Sequence, residues 1–542
     1  QGGQIMPYTK PGVEITQVQG TASPILTSPA LDATVVGQAY SWLDINSDEA
    51  VYSTAYSGVS HDITVSGNFS TDYHDITDAD LVIVDLLATT GASAGESKHL
   101  VKGTDFTVSA ATDTITLNAG ITIGGNSVPT GEVRVGFRSS RADANEQYHV
   151  CDSLDSITSA LGSVVSWNPA AYGTYLCQLN ASATVSCYAT ADVDSTATLN
   201  NLGLQETYAL AFLDDDTGVA SVKTHVEAYS NATNKKERVA FVNKQIAWMD
   251  NSNAAGSTFS AGATERSNTA AAIRDANSGF KSKRVFSTFP DIAYVRESRP
   301  LSTLKPAFIK ASFNDQTAIT WTEYNAYCEL TSTTVANGVT YPAGTKVTDA
   351  VWANLNTQNL GDLDVYAPVP GSYYCAANAG LLISQLPEQP LTNLPIAGIA
   401  KVHGSQDHFS EENLNSMAAG GTYIMTQDVT TGPVYSRHQV STNITSVALR
   451  ELSVTKAVDY TAKFLRKGIK PYIGVNVISP AFLKLLNSVV VSQGLFLVRN
   501  GVLNDFKVAK VEQDTSSLDT INIEVSLLVK YPVNYIKIKL VF

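Results

Sequence analysis

The spacing of apolar positions changes several times along the 542-residue chain, and each change predicts a different kind of element. Near the start, Pro7 and Pro11 disfavour helix, and Val13, Glu14, Ile15, Thr16, Gln17 and Val18 form a short strand-like stretch. "LDATVVGQAY" (31–40) reads as a buried strand. Between 55 and 138, runs such as "ADLVIVDLL", "DFTVSAATDTITL" and "GEVRVGF" are split by Gly, Asn, Asp and Ser. That rhythm predicts a small inserted sandwich or barrel.

From 139 to 312 the period alternates. "TYALAFLDDD" (207–216) is an apolar strand ending in carboxylates, after which Val219, Val222, Val226 and Tyr229 mark one face of a helix. "ERVAFVN" (237–243), the helical "TERSNTAAAIRDANSGF" (264–280) and "KRVFSTFPD" (283–291) follow. Strand, helix, strand, helix, strand predicts a parallel sheet with crossover helices. Residues 313–365, with turn signals such as "NGVTYPAGT", read as a small insert.

Further along, a helical pattern over 444–467 is expected to close with Gly468 at C′. Ser479 and Pro480 predict the start of another helix and Gly494 its stop. Strands are then expected at "GLFLVRNG", "FKVAKVEQ", "TINIEVSLLVKY" and "NYIKIKLVF". In the last of these, Ile536, Ile538, Leu540 and Phe542 alternate with Lys537, Lys539 and Val541. This is the two-residue period of a half-buried strand, and its open edge invites another chain to join. The expected fold class is thus α/β and α+β multidomain, with extended terminal β-arms and an inserted all-β domain.

Composition narrows the functional classes. Charged residues make up 16% of the chain, against roughly 25% in a typical soluble protein. A surface committed to partner contacts and a neutral β-rich surface both explain that shortage. The net charge of −14 argues against a general nucleic-acid or anionic-membrane role, which needs clustered Lys and Arg. No uninterrupted apolar run approaches the roughly 18 residues of a membrane helix. The opening "QGGQIMPYTKPGVEI" has no apolar signal core, and Met6 is a possible natural start.

Candidate chemistry is sparse. Asp214, Asp215 and Asp216 end a parallel strand, where α/β sheets often hold ligands, but no phosphate loop accompanies them. His403, Asp407, His408, Glu411 and Glu412 cluster in sequence, yet the two histidines are five apart, not the four that stack on one helix face. Cys151, Cys177, Cys187, Cys328 and Cys375 show no zinc or nucleophile spacing. Buried free thiols or later oxidation between subunits are the two readings for them. No catalytic, cofactor or metal site is expected. Lys463, Arg466 and Lys467 gather near a helix end, where they suit its dipole or form a docking patch for an acidic partner.

Several motifs resemble the sheath proteins of contractile bacteriophage (myovirus) tails. They are "YTKPGVEITQV" at the start, "GSYYCAANAGLLISQLPEQPLTNLPIAG" (371–398), "ENLNSMAAGGTYIM" (412–425) and the run from "ITSVALRELSVTKAVDYTAKFL" to "KYPVNYIKIKLVF". "VKGTDFTVSAATDTITL" (101–117) is similar to an insert many such proteins carry. The resemblance implies a non-enzymatic virion subunit assembled in the bacterial cytoplasm. Stacked six-fold rings would surround a tail tube, contact baseplate and terminator proteins, and contract to drive the tube through a cell envelope. No nucleic-acid contact or membrane insertion is implied.

By the same resemblance, an arm over 1–20 and a strand over 533–542 exchange with neighbouring subunits. Val13, Glu14, Ile15, Thr16, Gln17, Val18, Val533, Tyr535, Ile536, Ile538, Leu540 and Phe542 carry that exchange. Residues 21–54 with 366–532 form the tube-facing body, 139–312 an α/β domain, and 55–138 an outward module, leaving 313–365 a variable insert. Lys463, Arg466 and Lys467 are expected at the tube. The sheath of a phage-tail-like bacteriocin or another contractile injection system is a close alternative. A secreted β-rich adhesin is an alternative of another class.

Overall fold

The computed structural model describes residues 31–540, apart from internal stretches at 46–54, 65–81, 244–262, 300–327, 357–362 and 403–408 and a few shorter gaps. Val13 to Val18, Asp215, Asp216, His403, Asp407, His408 and Phe542 therefore lie outside the described residues. Contacts group the described chain into two units: one runs to Ala457 and includes residues 531–540, and the other is Val458–Lys530.

The first unit is built on a nine-stranded sheet. Its strands are β1 (Ala33–Gly37), β2 (Gln147–Cys151), β3 (Val185–Ala189), β4 (Ala209–Phe212), β5 (Val239–Asn243), β6 (Val285–Phe289), β7 (Pro395–Ile396), β8 (Thr422–Thr426) and β9 (Val434–Ser436). They lie in the order β2-β3-β1-β4-β5-β6-β8-β9-β7. The pairings from β3 to β8 are parallel, and β2, β9 and β7 add antiparallel flanks. Every residue of β1, β3, β4, β5, β6 and β8 is buried. Parallel strands covered on both faces read as unbroken apolar runs rather than alternation.

Successive residues serve opposite faces. Val36, Tyr188 and Phe212 pack with Val219, Val222 and Val226, whereas Cys187 and Ala189 pack with Ile157, Leu161 and Ala170. The helices α1 (Pro169–Asn180), α2 (Val219–Tyr229), α3 (Ala263–Phe280) and α4 (Tyr373–Ser384) supply the cover. α1 and α4 meet backbone to backbone, because a Cβ at Gly380 would lie 2.1 Å from the Cys177 carbonyl oxygen. The sheet draws strands from both segments expected as separate domains, 139–312 and 366–532.

The inserted β region forms a five-stranded and a three-stranded antiparallel sheet. Both contribute to one core, with Tyr56, Val84, Leu86, Phe106, Ile115, Leu117 and Phe137 fully buried. Tyr40–Ile45, expected within the body segment 21–54, pairs along Gly131–Ser140 and so extends this region. The chain is thus a mixed α/β protein with one large mixed sheet and smaller antiparallel sheets. Among the described residues, the 313–365 segment holds three short strands, the helix Asp349–Asn356 and the start of the strand Leu363–Pro370.

The second unit contains most of α5 (Leu452–Ile469), α6 (Pro480–Arg499) and the hairpin β10 (Leu503–Gln513) and β11 (Ile521–Val529). Ser479 caps α6 by accepting from the Phe482 N–H at 3.2 Å, as its sequence predicts. The two expected glycine stops are not stops. Gly494 lies inside α6, so "GLFLVRNG" is helical up to Arg499 rather than a strand. Gly468 lies within the last turn of α5.

Close packing explains both glycines. A Cβ at Gly494 would meet the Phe506 ring of β10 at 1.9 Å, and one at Gly468 would meet the Gln493 amide at 1.6 Å. A glycine inside a helix costs about 1 kcal/mol relative to alanine, and here it admits a neighbour that any side chain would exclude. As expected, α6 is no uninterrupted apolar run, since Lys484, Asn487 and Gln493 break it, although by length and composition it is apolar enough to cross a membrane, with mean hydropathy 1.7. A third of that window is buried, and its Phe496 ring stacks on Phe464 with centroids 5.4 Å apart.

Candidate assembly surface

The hairpin pairs from Leu503↔Val529 to Gln513↔Ile521 with two register shifts. Its turn is organised by Asp514, whose Oδ1 accepts from the Ser516 and Ser517 N–H groups at 2.7 and 2.9 Å, while its Oδ2 accepts from Asn522 Nδ2 at 2.7 Å. These donors, led by the Ser516 and Asn522 side chains, hold the carboxyl well below its ordinary range. Along β11, Ile521, Ile523, Val525 and Leu527 are half-buried, and Asn522, Glu524, Ser526 and Leu528 are exposed. Among the described residues this sheet has two strands only, so both outer edges lack a strand partner.

Beyond Val529, residues 531–540 form no helix and pair with no strand among the described residues. The period in "NYIKIKLVF" specifies which side chains share a face, but not which strand lies alongside. The strand expected there is therefore not formed among the described residues. Val533, Tyr535, Ile536, Ile538 and Leu540 are 77–85% exposed. Scattered exposed apolar residues are ordinary on protein surfaces, whereas a contiguous run of them marks a contact surface.

Sequence reasoning missed a second run of this kind. Ile473, Val475 and Val477, between α5 and α6, are 71–85% exposed. The alternation in "YIGVNVI" was the available signal. Lys463, Arg466 and Lys467 do fall near the end of α5, the first two half-buried and the third exposed. Each already interacts within the chain.

The other candidates do not converge. Asp214 follows β4 and is exposed. Asp194, near it, accepts from the Gly218 N–H and so occupies the start of α2. Burial raises the Asp194 pKa, the Gly218 hydrogen bond opposes this, and the neighbouring Asp192 and Asp214 reinforce it. Glu411 and Glu412 sit in the first turn of the helix Glu411–Ala419, where carboxylates suit the dipole. Among the described residues no group of three metal-ligating side chains forms. All five cysteines are buried and form no disulfide, and burial, aided by Asp152, pushes the Cys151 thiol up to about 11. Oxidation between subunits needs accessible thiolates, and in the subunit none is accessible.

No protein-family profile and no curated protein matches the chain. Among solved structures it is similar to the helical sheath of the anti-feeding prophage in its contracted state, at 12% identity over 74% of this chain and 89% of that one, with a TM-score of 0.44. It is also similar to the contracted sheath complex of PVC, an extracellular contractile injection system, at 9% identity over 74% and 87% with a TM-score of 0.44. A sheath tail protein from Desulfitobacterium hafniense is matched at 9% identity over 95% of this chain and all of that one, with a TM-score of 0.37.

Proposed function

We propose that this chain is the structural subunit of a contractile sheath, joined to further copies of itself by exchange of extended segments. The observation that carries the reading is the exposed apolar run at 533–540, which, like both outer edges of the two-stranded hairpin, has no strand partner among the described residues. Strand addition satisfies both at once. Main-chain hydrogen bonds supply affinity, and alternate side chains enter the acceptor's core. The occupant is a second copy of this chain. Head-to-tail contacts generate rings where the rotation closes and helical assemblies where it does not, and a sheath of stacked rings uses both.

Magnitudes fit a polymer better than a dimer. Burying Ile536, Ile538 and Leu540 contributes about 2 kcal/mol each, and about five new main-chain bonds contribute about 1 kcal/mol each. Ordering six residues costs about 9 kcal/mol. One exchange is therefore marginal alone and becomes firm when many contacts act together.

In this reading residues 13–18 form a second exchanged arm, 55–138 faces outward, and Lys463, Arg466 and Lys467 approach an inner tube. Six-fold rings, a baseplate contact and a phage particle complete it. A sheath of another contractile injection system has the same subunit chemistry.

Negative-stain microscopy of the concentrated protein tests the proposal, with long hollow tubes expected. A monodisperse monomer under every condition overturns it. Deleting 533–542 is expected to abolish tubes while leaving the body folded. Tubes from the deletion that match wild type refute the exchanged segment.

A further inference from the structure

The root of the exposed run is held by a buried carboxylate. Glu451 lies between the short helix Val447–Arg450 and α5 and is fully buried. Its Oε1 accepts from Asn534 Nδ2 at 2.9 Å, from Arg450 Nε at 3.0 Å and from His438 Nε2 at 3.0 Å. Its Oε2 accepts from Gln439 Nε2 at 3.4 Å. A carboxylate with this donor set stays ionised. Burial alone would raise its pKa, but the hydrogen bonds and charges of His438 and Arg450 bring it below the ordinary value.

Asn534 is the last half-buried residue of the run, and each of residues 535–540 is exposed. Pro532, two positions earlier, restricts the backbone on the approach. Behind Glu451, hydrogen bonds continue into the sheet. The Leu452 N–H donates to the Gln439 carbonyl at 3.2 Å, the Ser441 N–H to the Arg450 carbonyl at 2.7 Å, and the Thr442 N–H to the Val285 carbonyl of β6 at 3.1 Å.

We propose that Glu451 is the tether that fixes where the run leaves the subunit, so that tension on it reaches the nine-stranded sheet through Glu451. The load-bearing part rests on the exchange proposed above. Asn534 is a positioning residue that sets the exit point through Glu451. A carboxylate suits this task because it accepts several donors at once, and hydrogen bonds to an ionised group are about twice as strong as neutral ones.

The test uses the full chain carrying Asn534→Ala, Asn534→Asp or Glu451→Gln. In the unassembled protein, trypsin cleavage after Lys530 reports release of the root, and cleavage after the exposed Lys537 is an internal control. Asn534→Ala is expected to speed cleavage after Lys530 about 30-fold, as loss of one charge-assisted hydrogen bond of roughly 2 kcal/mol predicts. Asn534→Asp is expected to speed it further by placing like charges together, and Lys537 cleavage stays unchanged in both. Unchanged cleavage after Lys530 in both Asn534 variants overturns the tether even where tubes form. Faster cleavage with no tubes from wild type or variant supports the tether and refutes the exchange. Where tubes form, those of Asn534→Ala and Glu451→Gln are expected to dissociate at lower guanidinium than wild type. Equal resistance removes the load-bearing role.

Discussion

In β5 every residue from Val239 to Asn243 is buried, while in 535–540 every residue is exposed, although both stretches are rich in strand-forming apolar side chains. The difference lies in the neighbours. β5 is flanked by β4 and β6 and covered by helices, so its backbone and its side chains are satisfied within one subunit. Among the described residues the 535–540 run has neither flank nor cover. The same residue types thus make a core in one place and an exposed apolar strip in the other. Four experiments separate the two regions, taken from the largest effect on subunit stability to the smallest.

Gly380→Val forces α1 and α4 apart, since the added Cβ meets the Cys177 carbonyl, a main-chain atom that cannot rotate away. A loss of about 3 kcal/mol or more is expected in the urea unfolding midpoint, at the upper end for overpacking. A wild-type midpoint would show that the body is less tightly determined than its burial implies.

Gly494→Val presses on the Phe506 ring, which has more room to move than a backbone. The expected loss is about 1–3 kcal/mol. Hydrogen exchange should place it in the β10 and β11 amides, with β4 and β5 unaffected. Equal acceleration in both would merge the two units into one cooperative block.

Lys456 tests the body by pH. Its ammonium is fully buried and donates to the carbonyls of Leu382, Gln385 and Leu386 at the end of α4. Burial pushes its pKa down to about 7 against an opposing pull from Glu388. The unfolded chain then holds the extra proton between about pH 7 and the ordinary lysine value, so stability from this group rises with pH across that window. It is level below, where both states are protonated. The slope is at most about 1.4 kcal/mol per pH unit. Lys456→Met is expected to remove it, seen as a difference between wild-type and variant unfolding at pH 7 and pH 9. Parallel pH profiles for the two proteins would show that the three carbonyls hold the proton on.

Ile538→Asp has the smallest expected effect on the subunit, within about 0.5 kcal/mol, because the side chain touches solvent. Its effect on assembly is expected to be large, since the charge would enter a neighbour's core. A lowered melting temperature in the unassembled protein would mean that the run is already docked within its own chain.

Local pattern carried the reading furthest where one subunit completes its own structure. The alternation of strand and helix from 207 to 291 appears as β4, α2, β5, α3 and β6 in that order. The Ser479–Pro480 start of α6 is likewise legible, because a cap depends only on residues a few positions apart. The misreadings share a cause. Gly468 and Gly494 carry the signature of a helix stop, but the reason for each is a distant side chain, Gln493 for one and Phe506 for the other. "GLFLVRNG" is apolar enough for either state, and packing beneath the hairpin made it helix. Glu451 and Asn534, 83 positions apart, leave no local trace of their contact.

The sequence by itself determined the two-residue period of the closing run, the crossover order of the central strands and the shortage of charge, since these depend only on residue type and short-range spacing. Only the tertiary structure decided that β1, drawn from residue 33 onward, sits between β3 and β4, and that the closing run finds no partner strand among the described residues. It also decided that a buried glutamate holds the root of that run. Strand partners, burial and side-chain anchors are relations between residues far apart in the chain, and they exist only once the backbone has folded to bring them together.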